Sequence, residues 1–198
     1  MMYQGEIGVT VLDNFMAEPE RLDILSQFDD MELSTVCTSD GKGGIHDART
    51  GNRKFIVHDA TYVIYLMCER ISHFVGLPLE NAEKMQLLHY ANGEKYDPHF
   101  DAFNEKSPHW EHYGKRGGQR LVTVMGYLTD NNDGGGTLFP TAGLQVYPRK
   151  RRLLVFNNVL DDRSKPHPDS FHGGMPVTDG EKKCFTLWFR ENPINEQQ

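Results

Sequence analysis

The chain has 198 residues, with 21 Lys+Arg against 28 Asp+Glu, a net charge of −7 with histidine neutral. Its 38% hydrophobic and 25% charged residues describe a folded protein able to bury a core, and exclude a disordered tail, a collagen or a coiled coil. The acidic balance gives no electrostatic footprint for nucleic acid, although a local basic groove stays open.

The N-terminus, MMYQGEIGVTVLDNF, lacks a basic region followed by a long apolar run, so neither a signal peptide nor a membrane partner is expected. No stretch reaches the ~18 apolar residues of a membrane span. Cys37, Cys68 and Cys184 are odd in number and form no CxxC pair. That argues against a disulfide framework or a thiolate zinc site, and a reducing cytoplasm is the expected compartment.

A first helix is predicted after Glu18-Pro19, with Leu22, Leu25 and Phe28 at helical spacing and proline in the first turn. A second is predicted from about Ala60 to Val75, stopped by Gly76, with Val63, Ile64, Leu66, Met67, Ile71 and Phe74 on its packing face. Between them Ser39–Lys54, rich in Gly and charge, reads as a long mobile loop, either a lid or plain disorder.

From Glu83 onward short apolar runs alternate with Gly, Pro, Asn and Asp. Met85–Tyr90, Arg120–Leu128, Leu138-Phe139, Gly143–Tyr147, Arg152–Phe156 and Cys184–Arg190 read as strands, and Asn131–Gly136 as a turn. The expected architecture is mainly β, a barrel or jelly roll buttressed by the N-terminal helices. One domain over 1–198 is expected, with about 1–80 as support and about 83–192 as the β structure.

The informative stretch is Tyr90-Ala-Asn-Gly-Glu-Lys-Tyr96-Asp-Pro-His99-Phe-Asp101. On a strand, His99 and Asp101 would project from one face and offer two adjacent ligands to a divalent ion. His172, in Ser170-Phe-His172-Gly-Gly, is the best third ligand. Two histidines and one carboxylate with open positions opposite suit a non-haem Fe(II) oxygenase. Taken alone, the HxD tripeptide reads more readily as a chance occurrence in a chain with nine His and many Asp. Ten residues past His172, beyond Asp179-Gly180, comes Lys182. If the two lie on neighbouring antiparallel strands, an inward Lys182 would need an anion, such as the far carboxylate of a metal-chelating dicarboxylate. Cys184 and Thr186 would then also point inward and Lys183 outward. As an isolated residue, Lys182 would read as a solvated charge.

Five blocks, RTGNRKF, LLHYANGEKYDPHFDAF, GGQRLVTVMGYL, GGGTLFP and FHGGMPVTDGEKKCFTLWFRE, occur in an order that resembles the catalytic domain of the prolyl 4-hydroxylase family. The likeness runs from Arg49 to Arg190 and matches the single-domain bacterial, algal or viral kind. It implies a double-stranded β-helix, Fe(II), and 2-oxoglutarate and O₂ as cosubstrates, with ascorbate as reductant. The implied reaction is hydroxylation of C4 of a prolyl residue in a Pro-rich or collagen-like peptide, giving hydroxyproline, succinate and CO₂. The resemblance implies His99, Asp101 and His172 as iron ligands. It gives the distal carboxylate of 2-oxoglutarate to Lys182, with hydroxyl hydrogen bonds from Tyr90 and Thr137. It implies Tyr96, Arg120 and Trp188 as peptide contacts in an aromatic groove that suits a preordered polyproline chain. Taken singly, Tyr90 and Trp188 read equally as core aromatics, Thr137 as a loop-end hydroxyl and Arg120 as a surface charge.

Two features depart from that pattern. Gly51 stands where the family usually has Ser, and Asn104–Gly118, with His109, Trp110, His112 and Tyr113, has no firm family match. His89 and His167 are not expected to be ligands. Alternatives left open are the same chemistry on free proline, another protein side chain or a nucleobase, a non-catalytic binding barrel, and a zinc hydrolase. The oligomeric state is open, a monomer included.

Overall fold

The computed structural model of the chain describes residues 7–34, 36–37, 43–44, 47–106, 108–131, 133–163 and 165–194. The strands are β1 (Thr10–Leu12), β2 (Glu32–Leu33), β3 (Val36–Cys37), β4 (Gly43–Gly44), β5 (Asn52–Ile56), β6 (Met85–Tyr90), β7 (Tyr96–His99), β8 (Arg120–Tyr127), β9 (Thr137–Phe139), β10 (Leu144–Val146), β11 (Leu153–Asn157), β12 (His172–Gly174) and β13 (Lys182–Arg190). The helices are α1 (Glu18–Leu25), α2 (Tyr62–Val75) and α3 (Pro108–Tyr113). A seven-stranded sheet runs β1-β11-β8-β13-β6-β5-β2, a four-stranded sheet runs β10-β9-β12-β7, and β3 and β4 form a separate hairpin. Pairing is antiparallel. The architecture is the jelly roll of the expectation, mainly β with flanking helices.

Period-two alternation sorts the large sheet into two faces. Met85 and Leu87 of β6, Val124 of β8, Leu153 and Val155 of β11, and Phe185, Leu187 and Phe189 of β13 join one buried cluster with Ile64, Met67 and Ile71 of α2. Leu88, Tyr90, Met125, Tyr127, Leu154, Phe156 and Cys184, the alternate residues, join a second cluster with Phe139 and Val146 of the small sheet. The helices thus cover one face, and the small sheet covers the other.

Local signals set the helix ends. The Thr61 hydroxyl accepts from the Ile64 N–H at 3.1 Å, and Gly76 closes α2 at φ 70°. The packing faces differ from the expected ones. In α1 the buried residues are Arg21 and Ile24, and Leu22 is 53% exposed, while Leu25 and Phe28 pack against the core as expected. Arg21 takes the inward position because its guanidinium donates to the Leu128 carbonyl at the end of β8, 2.9 Å away. In α2 the buried stripe is Ile64, Met67, Cys68 and Ile71, and Val63, Leu66 and Phe74 are exposed.

The expected loop Ser39–Lys54 also changes. Its last residues, Asn52–Lys54, belong to β5 and pair with β6; positions 39–42 and 45–46 lie outside the described residues. No described helix is long and apolar enough to cross a membrane.

Candidate active site

The inner face of the large sheet and the small sheet enclose a cavity of about 1230 Å³. Alternate residues of β13, from Lys182 through Cys184, Thr186 and Trp188 to Arg190, line it along its length. A strand of that span reaches about 26 Å at ~3.3 Å per residue. The space exceeds what one small molecule needs and leaves room for a chain segment.

His99, Asp101 and His172 come together on the cavity wall, each offering a ligand atom within 4.8 Å of the others. The strand argument for the HxD pair holds only in part. β7 ends at His99, and Asp101 follows in a bend. The convergence comes instead from pairing, because His172 of β12 lies opposite His99 of β7. Gly173 permits the close approach of these strands. A Cβ there would sit 2.9 Å from the Tyr96 carbonyl oxygen and the Pro98 nitrogen.

The donor set suits a divalent ion. His99 Nδ1 is 2.9 Å from the Asp97 carbonyl and His172 Nδ1 is 2.8 Å from the Ser170 carbonyl. Each Nδ1–H is thereby committed, and each Nε2 faces the carboxylate, at 3.5 Å for His99 and 3.6 Å for His172. Burial pushes the His172 imidazole down to about 4 against the pull of Asp101, so the neutral, ligating form dominates near pH 7. Burial of Asp101 opposes its charge, but His172 and His99 outweigh it and hold the carboxyl well below its usual range. Thr123 donates to Asp101 Oδ2 at 2.7 Å and accepts from Asn158 Nδ2 at 2.8 Å. Sequence reasoning missed both residues. The signal for Thr123 was its alternation with Met125 and Tyr127 on β8.

Lys182 is 2% exposed and lies opposite Tyr90 in the β13–β6 register. Its Nζ is 5.6 Å from the ring centres of both Tyr90 and Tyr127. No carboxylate pairs with it among the described residues, and burial depresses its ammonium. The expected placement of His172 and Lys182 on neighbouring strands is corrected: β12 pairs with β7 and β9, β13 with β6 and β8. Lys182 therefore approaches the triad across the space between the sheets, its Nζ 4.0 Å from where a Cβ of Gly174 would be. Lys183 points away to Glu181 at 2.9 Å, and His89 also meets Glu181, at 2.9 Å. Thr137 lines the cavity, with its hydroxyl 2.7 Å from Tyr127 Oη, a partner the sequence reading did not single out.

Toward the C-terminal half of β13 the lining turns aromatic and cationic. The Tyr96 ring stacks on His99 with centres 3.8 Å apart, and the Arg49 guanidinium carbon lies 4.5 Å from the centre of the same Tyr96 ring. Arg120 is not a solvated surface charge. It grips Glu83 through two nitrogens at 2.6 and 2.7 Å and lies 3.9 Å over the Trp188 ring. Trp188 Nε1 is buried without an acceptor. Gly51 is required where it stands: at φ 93°, a Cβ would lie 2.6 Å from the His89 carbonyl oxygen and 2.9 Å from the Tyr90 ring. A serine there would press on Tyr90.

Two facing antiparallel sheets with a His–Asp–His cluster between them define a jelly-roll, non-haem iron oxygenase site. The model of the 2OG-Fe(II) oxygenase superfamily matches residues 85–190. Prolyl 4-hydroxylase 5 of Arabidopsis thaliana is 36% identical over 205 residues, covering 93% of this chain and 68% of that protein. A putative prolyl 4-hydroxylase of Acanthamoeba polyphaga mimivirus is 38% identical over 127 residues, 64% of this chain and 52% of that protein. The fold is shared with a viral collagen prolyl hydroxylase of Paramecium bursaria Chlorella virus-1 solved with 2-oxoglutarate (TM-score 0.70, 24% identity, 92% and 95% of the two chains). The chain belongs to the prolyl 4-hydroxylase family of the 2OG-Fe(II) oxygenases. Its cofactor and cosubstrate are those of the superfamily, Fe(II) and 2-oxoglutarate.

Proposed function

We propose a peptidyl-proline 4-hydroxylase in which His99, Asp101 and His172 hold Fe(II) and Lys182 holds the far carboxylate of 2-oxoglutarate. Family membership supplies the reaction: C4 of a prolyl residue gains a hydroxyl while 2-oxoglutarate and O₂ yield succinate and CO₂. The bound iron supplies oxygen activation, and ascorbate keeps it reduced.

The chain's own residues bind, orient and exclude water. Nδ1 contacts to backbone carbonyls fix both imidazoles, and the Thr123 hydroxyl fixes the carboxylate. Tyr90 and Thr137 are assigned hydroxyl contacts to the same end of 2-oxoglutarate as Lys182. Tyr96, Arg120 and Trp188 are assigned to an extended proline-containing segment. Tyr96 stacked on His99 would set the target ring beside the iron.

The observation that carries this reading is Lys182, a buried cation without a carboxylate among the described residues, set between the sheets opposite the His–Asp–His cluster. A buried charge of that kind is stable only with a partner, and a metal-chelating dicarboxylate brings one. The test is succinate release by the iron-loaded protein, alone and with proline-containing peptides, beside mass analysis of the peptide. Peptide-stimulated succinate with one oxygen added per proline is expected. Stimulation by free proline but by no peptide would overturn the peptide assignment.

A further inference from the structure

The groove does not end at Trp188. Arg190, two residues further along the inner face of β13, also lines it and is 3% exposed. Arg116, from the turn after α3, lines the same end. The one lining carboxylate there among the described residues is Glu83, and Arg120 already takes both its oxygens. Arg190 Nη1 approaches Glu83 Oε1 only to 3.3 Å. Arg190 Nε and Nη1 and Arg116 Nε are buried with no hydrogen-bond partner. Arg190 Nη2 donates to the Tyr113 carbonyl, so one nitrogen holds the α3 segment, while Nε and Nη1 are left beside the groove with no acceptor. Glu191, next in the chain, is committed to the Gln119 N–H at 2.9 Å.

We propose that Arg190 and Arg116, beside Arg120, form a carboxylate-binding subsite that selects peptides with an aspartate or glutamate near the target proline. The inference rests on the peptide reading of this groove and names its specificity. Of the carboxylates near the three guanidiniums only Glu83 is within ion-pair distance; Glu191 is held by a backbone N–H and Asp101 by the two histidines, which leaves Arg190 and Arg116 short of close anionic partners in a protein of net charge −7. Burial, with the charges of Arg120 and Arg116, depresses the Arg190 guanidinium to about 10 against the pull of Glu83, as expected where cations crowd. The planar fork of arginine matches a carboxylate through paired N–H donors. The Phe103 ring lies between the guanidiniums, 5.0 Å from Arg120 and 4.5 Å from Arg190, and keeps the site dry enough for such a bond to count. The subsite gives Arg116, in the segment 104–118 that showed no firm family match, a place in substrate choice.

The experiment scans one Glu, against its neutral isostere Gln, through positions flanking the proline of a labelled peptide. It measures both kcat/KM for succinate release and binding by fluorescence anisotropy. At one position Glu should exceed Gln by roughly tenfold in both, the scale of one charge-assisted hydrogen bond. In Arg190→Gln and in Arg116→Gln that ratio should fall toward one. Should Arg190→Gln not fold, the wild-type ratio and the half-buried Arg116 still decide. Equal binding of Glu and Gln peptides at every position overturns the subsite, and so does a preference that survives both variants. Displacement of the peptide by a single-stranded oligonucleotide at lower concentration overturns it in favour of a phosphate backbone. If no peptide is hydroxylated, the peptide-hydroxylase reading fails on its own, and the anisotropy ratio still tests the subsite.

Discussion

Strand β13 presents two environments one residue apart. Phe185, Leu187 and Phe189 face the helices, each 0% exposed among aliphatic neighbours. Lys182, Thr186, Trp188 and Arg190 face the cavity, also almost wholly buried. Both faces are removed from water, yet only the first gains stability from it. Apolar burial stabilises by about 25 cal/mol per Å², whereas an unpaired buried ammonium or guanidinium opposes folding. The helix face is therefore what keeps the chain folded while the cavity face holds charges in readiness for ligands. Substitutions on the two faces should separate function from stability.

The largest effect is expected at Asp101. Asp101→Ala removes the one carboxylate of the triad, and iron binding and succinate release should drop to background while circular dichroism stays native. Near-normal turnover would remove the metal assignment. Next comes Lys182→Met, which keeps the volume and deletes the charge. Breaking a buried pair typically costs about 3–5 kcal/mol, so 2-oxoglutarate affinity should fall by roughly two to four decades. The ligand-free protein should become more stable, since an uncompensated buried charge is gone. The gain has a pH signature. Burial lowers the Lys182 pKa from 10.5, so between the folded value and 10.5 the unfolded chain binds more protons. Wild-type stability contributed by this group therefore rises with pH across that window. The Lys182→Met advantage should shrink over the same range, as paired denaturant titrations would show; an advantage constant with pH would mean that the ammonium is solvated.

Phe185→Ala tests the other face. Removing a buried aromatic costs about 3–5 kcal/mol, or roughly 6–20 °C in Tm for a chain of this size. The 2-oxoglutarate affinity of the molecules still folded should hardly move. Parallel loss of both would mean that the two faces are coupled through the sheet.

Much of this division was legible in the residues. The strands with strong apolar runs stand within a residue or two of their expected ends, and Met85–Tyr90 falls on the expected bounds. With Lys182 inward, as the family resemblance implied, an outward Lys183 followed from alternation. The short strands β7 and β12 were not legible, because Tyr96-Asp-Pro-His and His-Gly-Gly have little β propensity and form only by pairing with each other. That is why His99 and Asp101 were placed on a common strand face, when it is the β7–β12 register that gathers the three residues. Long-range partners such as Asn158 behind Thr123, or Glu83 beneath Arg120, leave no mark in local pattern. The loop of 39–54 was misjudged at its end for the same reason, since β5 is ordered by its long-range partners β6 and β2.

The smallest expected effect sharpens the helix side of the comparison. Spacing in α1 suggests Leu22 as a core residue, but the structure exposes it and buries Ile24 at 0%. Arg21 is drawn inward by the Leu128 carbonyl, and Leu25 and Phe28 pack on the core as expected, so of the predicted face only Leu22 is left outside. Leu22→Ala should then change stability by no more than about 0.5 kcal/mol, as surface substitutions do, and alanine's higher helix propensity offsets part of any lost contact. Ile24→Ala, two residues on, should cost about 2–5 kcal/mol because it empties a packed site. The pair is read by urea midpoints at unchanged slope. Neither change should alter 2-oxoglutarate affinity, since α1 packs on the face of the sheet that the cavity does not touch. A Leu22→Ala cost equal to that of Ile24→Ala would show that the helix is rotated toward the spacing-based face, and Arg21 would then be free of Leu128.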